Sequence, residues 1–270
     1  MTGLESQSKG VLTPPKKGVI ICLVNQKGGT GKTTSAVNIG AGLARLGQKV
    51  LLIDLDPQAN LSYHLGIKSG EIKASVAEVL EGRARPEAAV IERAGLDVIP
   101  STLALAETEA RIFDLPGRER LLSEPLARIK SRYSYILIDC PPNLGVLTLN
   151  ALVGSDKVFI PIEVQALPLQ GLRAIDGVIG LVRERLNPEL RIAGIIATRY
   201  DGRKILNREV LDTIREHFGH LVFKTVIRDT VRLAEAPGYG LDIFSYAPRS
   251  YGAEDYLSLC KEILKTGKGD

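Results

Sequence analysis

The stretch Lys27-Gly28-Gly29-Thr30-Gly31-Lys32-Thr33-Thr34 constrains this chain more than any other. The apolar run Val19-Ile20-Ile21-Cys22-Leu23-Val24 leads into it, and residues 36–44, small and apolar, follow it. Buried strand, glycine-rich turn and helix thus succeed one another in the order a phosphate-binding loop requires. Glycines let the backbone close around phosphate oxygens, so that N–H groups and the helix N-terminus face an anion. Lys32 is then placed to reach β- and γ-phosphates, and the Thr33 hydroxyl to ligate Mg²⁺. The general pattern G-x-x-x-x-G-K-[ST] is met only in its second half, because Gln26 stands where its first glycine belongs. Lys27 opens a narrower pattern, K-G-G-x-G-K-T-T.

From Gly18 onward, apolar runs alternate with helical patterns. Strands are expected over 49–53, 96–100, 135–139, 157–161 and 192–197, with a short one over 222–227. Helices are expected over 76–80, 103–113, 119–133, 171–185, 207–218 and 253–264. Continuous apolar strands alternating with helices of this length predict an α/β, single-domain P-loop NTPase fold over residues 18–270. Its sheet should be mostly parallel, doubly wound and flanked by helices on both faces. Residues 1–17 are polar and end in Thr13-Pro14-Pro15-Lys16-Lys17, the composition of a flexible tail.

With 44% hydrophobic and 24% charged residues, the composition is that of an ordinary globular protein. No apolar run reaches membrane-spanning length and no secretory leader pattern opens the chain, so cytoplasmic residence is the default expectation. Cys22, Cys140 and Cys260 are odd in number and widely spaced, which argues against a disulfide framework or a cysteine-held metal. The net charge of +4 is too small to imply nucleic-acid binding, so the placement of the cations must decide that question.

Ligands of open α/β sheets gather at the C-terminal ends of the strands. Asp139 closes one apolar run there, where an acid sits near Mg²⁺ directly or through water. Asp54 and Asp56 close another, before Pro57. Asp56 is placed to orient an attacking water or to join the metal shell, and Asp54 to support loop and shell. The implied reaction is attack of water on a γ-phosphate, with Lys27, Lys32 and Mg²⁺ stabilising the charge. A strand-end aspartate alone would more commonly be a cap or turn former.

Together, the glycine loop, Asp54-Leu55-Asp56-Pro57-Gln58 and Ile138-Asp139-Cys140-Pro141-Pro142 resemble the deviant Walker A ATPases, and within them the ParA/Soj chromosome- and plasmid-partitioning proteins. Further matching stretches are Asn25-Gln26, Leu147-Thr148-Leu149-Asn150-Ala151-Leu152, Val231-Arg232-Leu233-Ala234-Glu235-Ala236-Pro237 and Arg249-Ser250-Tyr251-Gly252-Ala253. The resemblance implies a homodimer formed on binding Mg-ATP, with Lys27 crossing to the partner subunit's nucleotide. Gly28, Gly29, Thr30, Gly31, Lys32, Thr33 and Thr34 would hold ATP. Thr33, Asp56 and Asp139 would serve the metal, Asp56 would position the hydrolytic water, and Asp139 would mark a second switch. It also implies non-specific binding to double-stranded DNA, release when a ParB-like partner stimulates hydrolysis, and residence on the nucleoid.

Two basic clusters fit that picture: Arg199, Arg203, Lys204 and Arg208, then Lys224, Arg228 and Arg232. On neighbouring loops they would form one phosphate-contacting patch without base readout. Arg203 and Arg232 match arginines associated with DNA binding in the family. The chain departs from the family at Gln165-Ala166-Leu167-Pro168-Leu169-Gln170, where relatives are acidic and tyrosine-rich. It departs again at Ile227-Arg228-Asp229-Thr230, where isoleucine-proline-arginine-asparagine is usual. Competing readings are a relative positioning a chemoreceptor, division or microcompartment cargo, a MinD-like membrane switch, and an ATP-dependent ligase or iron–sulfur reductase. The membrane switch needs a basic amphipathic C-terminal helix, and here Asp255 and Glu262 interrupt the basic face.

Overall fold

The computed structural model describes residues 18–164 and 169–266; the tail expected over 1–17, much of the divergent 165–170 stretch and residues 267–270 lie outside them. Strands β1 (Val19–Leu23), β2 (Val50–Asp54), β3 (Ile91–Arg93), β4 (Leu96–Ile99), β5 (Tyr135–Asp139), β6 (Lys157–Glu163) and β7 (Arg191–Thr198) form one sheet. Its order is β3-β4-β2-β5-β1-β6-β7, and every pairing is parallel except that of the edge strand β3. Runs such as Val50-Leu51-Leu52-Ile53 and Ile136-Leu137-Ile138 are buried throughout, as strands covered on both faces must be.

The helices are α1 (Lys32–Arg45), α2 (Asn60–His64), α3 (Val76–Leu80), α4 (Ala104–Ile112), α5 (Ser123–Ile129), α6 (Val146–Gly154), α7 (Leu169–Arg185), α8 (Ile205–Phe218), α9 (Val231–Glu235), α10 (Ile243–Tyr246) and α11 (Tyr251–Thr266). Helices α3 to α8 cover the face bearing Ile20 and Cys22. Helices α1, α2, α10 and α11 cover the face bearing Ile21 and Leu23. The expected doubly wound P-loop architecture is the one observed.

Helix α11 packs closely on α1. A Cβ at Gly42 would stand 2.6 Å from Cys260 Sγ, and the hydroxyls of Ser35 and Tyr256 lie 3.1 Å apart. Leu259, Ile263 and Leu264 are thereby buried inside the protein. No helix among the described residues is long and apolar enough to cross a membrane.

Three local expectations are corrected. Segment 222–227 is not a strand: it runs beside β7 through single bridges at Ile195–Val222 and Tyr200–Arg228. The Phe223 ring there fills the space that a side chain at Gly194 would occupy. The helix expected over 119–133 is shortened to α5 between two 3-10 turns. Strand β3 had no sequence signal, because its polar Glu92 and Arg93 read as loop. A tight turn with positive φ at Ala94 and Gly95 folds it back onto β4.

Candidate functional site

The sheet order sets the site. The loop after β1 lies between the ends of β5 and β6, and the register aligns Leu23 with Asp139 and Asp54 with Asp139. Gly29 and Gly31 take φ of +76° and +85°, which side-chain-bearing residues adopt only at a cost. Nothing lies within 4 Å of where a Cβ would sit at Gly28 or Gly29, so that side of the loop is open to a ligand. The loop is tied down from neighbouring elements. Asn25 Nδ2 donates to the Pro161 carbonyl at 2.7 Å, the Lys27 N–H donates to Asn25 Oδ1 at 3.0 Å, and Thr198 Oγ1 donates to the Thr30 carbonyl at 2.9 Å.

The two lysines of the loop occupy different environments. Lys32 is 7% exposed, with Nζ 3.5 Å from the Lys27 carbonyl. Burial lowers its pKa, opposed by the negative charge of Asp139. The Lys27 side chain is 57% exposed at the mouth of the loop and pairs with Glu163 at 2.8 Å.

Beneath them, Thr33 Oγ1 donates to Asp139 Oδ2 at 2.6 Å. Asp139 is wholly buried, and burial, then the neighbouring charge of Asp54, pushes its carboxyl well above the usual range. Its Oδ1 is buried with no hydrogen-bond partner among the described residues. An open carboxylate oxygen beside a threonine hydroxyl is the hard-oxygen donor set that suits Mg²⁺. Asp54 is differently employed. Ser62 donates to it from its N–H at 2.8 Å and its hydroxyl at 2.7 Å, and burial raises its pKa to about 6. Those bonds fasten the end of β2 to α2. Asp56, 5% exposed, accepts from the Gln58 N–H at 2.9 Å, which shapes the turn after β2.

Sequence reasoning missed Glu163, Thr198 and Glu109. Glu163 and Thr198 end β6 and β7 in register with each other. The Glu109 carboxyl, on α4, is raised by partial burial and then by the charge of Asp56. No local motif marks any of them; strand order brings in Glu163 and Thr198. Next to the loop, a cavity of about 250 Å³ is lined by Gly29, Gly31, Thr34, Arg199, Asp229 and Thr230, among others. It is of a size to take part of a nucleotide beyond its phosphates.

The two basic clusters are brought side by side by the Tyr200–Arg228 bridge. Arg203, whose side chain is 92% exposed, pairs with Asp201 at 2.9 Å, and Arg232 pairs with Glu235 at 2.9 Å. Lys204, Arg208 and Lys224 are exposed. Arg199 faces Glu163 at 3.3 Å and Asp229 at 3.9 Å. The extra positive charge that sequence reading placed at Arg228 is largely cancelled: its Nε lies 3.0 Å from both Asp255 oxygens, Glu254 is at 2.7 Å, and the guanidinium stacks over Tyr251. The partners come from α11, far along the chain.

A family profile described as an AAA domain matches residues 18–192. The chain is 44% identical over 254 residues to the sporulation initiation inhibitor protein Soj of Bacillus subtilis, covering 93% of this chain and 100% of Soj. It is 40% identical over 251 residues to the chromosome partitioning protein ParA of Myxococcus xanthus, covering 92% of this chain and 88% of that one. A crystal structure of cobyrinic acid a,c-diamide synthase from Mycobacterium smegmatis with bound ADP and magnesium superposes with a TM-score of 0.82 at 33% identity, covering 93% of this chain and 96% of that one.

Proposed function

The chain belongs to the ParA/Soj family of ATPases, and on that premise we propose that it is a Mg-ATP-driven dimer switch that holds non-specific double-stranded DNA and lets go on hydrolysis. One observation carries the reading: a single loop holds one lysine buried against its own site and a second exposed at its mouth. Lys32 serves the phosphates bound by its own subunit. Lys27, exposed at the mouth, serves the nucleotide of a partner subunit.

Thr33 and Asp139 would hold Mg²⁺, which would supply charge neutralisation at the bound phosphates. The backbone of Gly28 to Thr33 cradles the phosphates, and Lys32 supplies charge where the leaving group develops it. Asp56 orients the attacking water, and Asp54 keeps the Asp56 turn fixed through Ser62. Residues 198–199 and 227–230 flank both the nucleotide cavity and the basic segments. That contiguity supports a DNA affinity governed by nucleotide, with Arg203, Lys204 and Arg232 as the foremost phosphate contacts.

The partner that stimulates hydrolysis is ParB-like in this reading, and the protein works on the nucleoid in the cytoplasm. A second reading, an ATP-dependent amide synthase, is favoured by the synthase likeness. Duplex-DNA binding separates the two: fluorescence anisotropy with ATP, ADP and no nucleotide across a salt series should show tight, salt-sensitive binding with ATP alone. Equal affinity in all three states would overturn the switch.

A further inference from the structure

Glu163 sits where three strand ends converge. It closes β6, which lies between β1 and β7, and stands in register with Thr198. Its side chain is 11% exposed. Lys27 Nζ donates to Oε2 at 2.8 Å, and an Arg199 guanidinium nitrogen lies 3.3 Å from Oε1. Arg199 itself holds a left-handed φ of +53°, uncommon for a residue with a side chain. Its neighbours fix it there: the Tyr200 N–H donates to the Ile227 carbonyl at 3.0 Å, and Thr198 Oγ1 donates to the Thr30 and Ile162 carbonyls.

We propose that Glu163 is a positioning residue for Lys27, a latch that holds the ammonium over its own loop until nucleotide-driven assembly draws it away. The inference rests on the reading that Lys27 acts in the ATP-bound dimer. The carboxylate cannot follow Lys27 outward, because it is anchored at the end of an interior strand. Lys27 therefore has two mutually exclusive places, against Glu163 or against a phosphate. Phosphates bound on the loop compete for the ammonium with their own negative charge. Arg199 makes release cheap: when Lys27 departs, the mostly buried carboxylate keeps a cationic partner and is not left unpaired. One carboxylate shared by two cations is the arrangement such a latch needs.

The test is light scattering of the full chain titrated with a non-hydrolysable ATP analogue and Mg²⁺. Glu163→Gln should dimerise at an analogue concentration about two- to fivefold below wild type, the fold-change of one partly exposed ion pair. Arg199→Ala leaves Lys27 as the carboxylate's remaining cation and should shift the midpoint the other way. A merely structural role would move both variants in the same direction, and that result overturns the latch. So does an unchanged midpoint in both. Should Glu163→Gln fail to fold, Glu163→Asp, which keeps the charge but shortens the reach to Lys27, should lower the midpoint in its place, and an unchanged midpoint overturns the latch. Absence of any analogue-dependent dimer in wild type overturns the switch reading itself, an outcome distinguishable from a wild-type dimer that ignores Glu163.

Discussion

Thr33 Oγ1 donates a 2.6 Å hydrogen bond to Asp139 Oδ2, joining the first turn of α1 to the end of β5. The other Asp139 oxygen is buried with no hydrogen-bond partner among the described residues, so the pair offers a hydroxyl and an unsatisfied carboxylate oxygen that suit a divalent cation. Thr33→Ala and Asp139→Asn should each raise the Mg²⁺ concentration needed for ATP hydrolysis by roughly 10–100-fold. Phosphate release measured across a Mg²⁺ titration checks this, and chelation with EDTA should stop turnover in wild type. An unaltered Mg²⁺ requirement in both variants removes them from the metal site.

Lys32 and Asp56 should separate binding from chemistry. Lys32→Ala deletes the buried cation and should abolish binding of a fluorescent ATP analogue. Asp56→Ala should keep that binding, since Lys32 and the loop backbone are left in place, and reduce turnover to background. Undiminished hydrolysis by Asp56→Ala would sink its assignment.

Arg203 and Arg232 are exposed cations on segments that the fold places together. The double alanine variant should bind all duplex sequences about equally less tightly and lower the slope of log affinity against log salt by roughly two. Anisotropy at several salt concentrations reads both. Arg228→Ala should act mainly on stability, because its charge is spent on Asp255 and Glu254.

His64 links pH to stability. It is 2% exposed on α2, its Nε2 has no hydrogen-bond partner among the described residues, and burial pushes its pKa down to about 4. An unfolded chain protonates this imidazole near pH 6.5. Between those values the unfolded state binds the extra proton, so stability falls as pH drops from about 6.5 to about 4, by roughly 3 kcal/mol in full. His64→Leu should flatten that part of the profile, read as urea midpoints at pH 7 and pH 5. An equal fall in the variant would place the pH dependence elsewhere.

Much was legible along the chain because it is local. An apolar run, a glycine turn and a lysine-threonine helix start declare a phosphate loop within a short window, and Asp54, Asp56 and Asp139 announce themselves as strand ends. Periodicity alone located most strands and long helices. It failed at β3, whose polar residues depend on a turn for their pairing, and at 222–227, where Phe223 seats itself against Gly194.

By itself, then, the sequence determined that this protein has a nucleotide loop with two lysines, strand-end acids and two basic segments. Only the tertiary structure decided which charges are free. Parallel strand order brings Glu163 and Arg199 to Lys27, and α11 brings Asp255 to Arg228, from positions a linear reading cannot connect. The reason is physical: local pattern sets backbone conformation, whereas a charge's partner depends on which strand lies beside it, and in a doubly wound sheet neighbours in space are seldom neighbours in the chain.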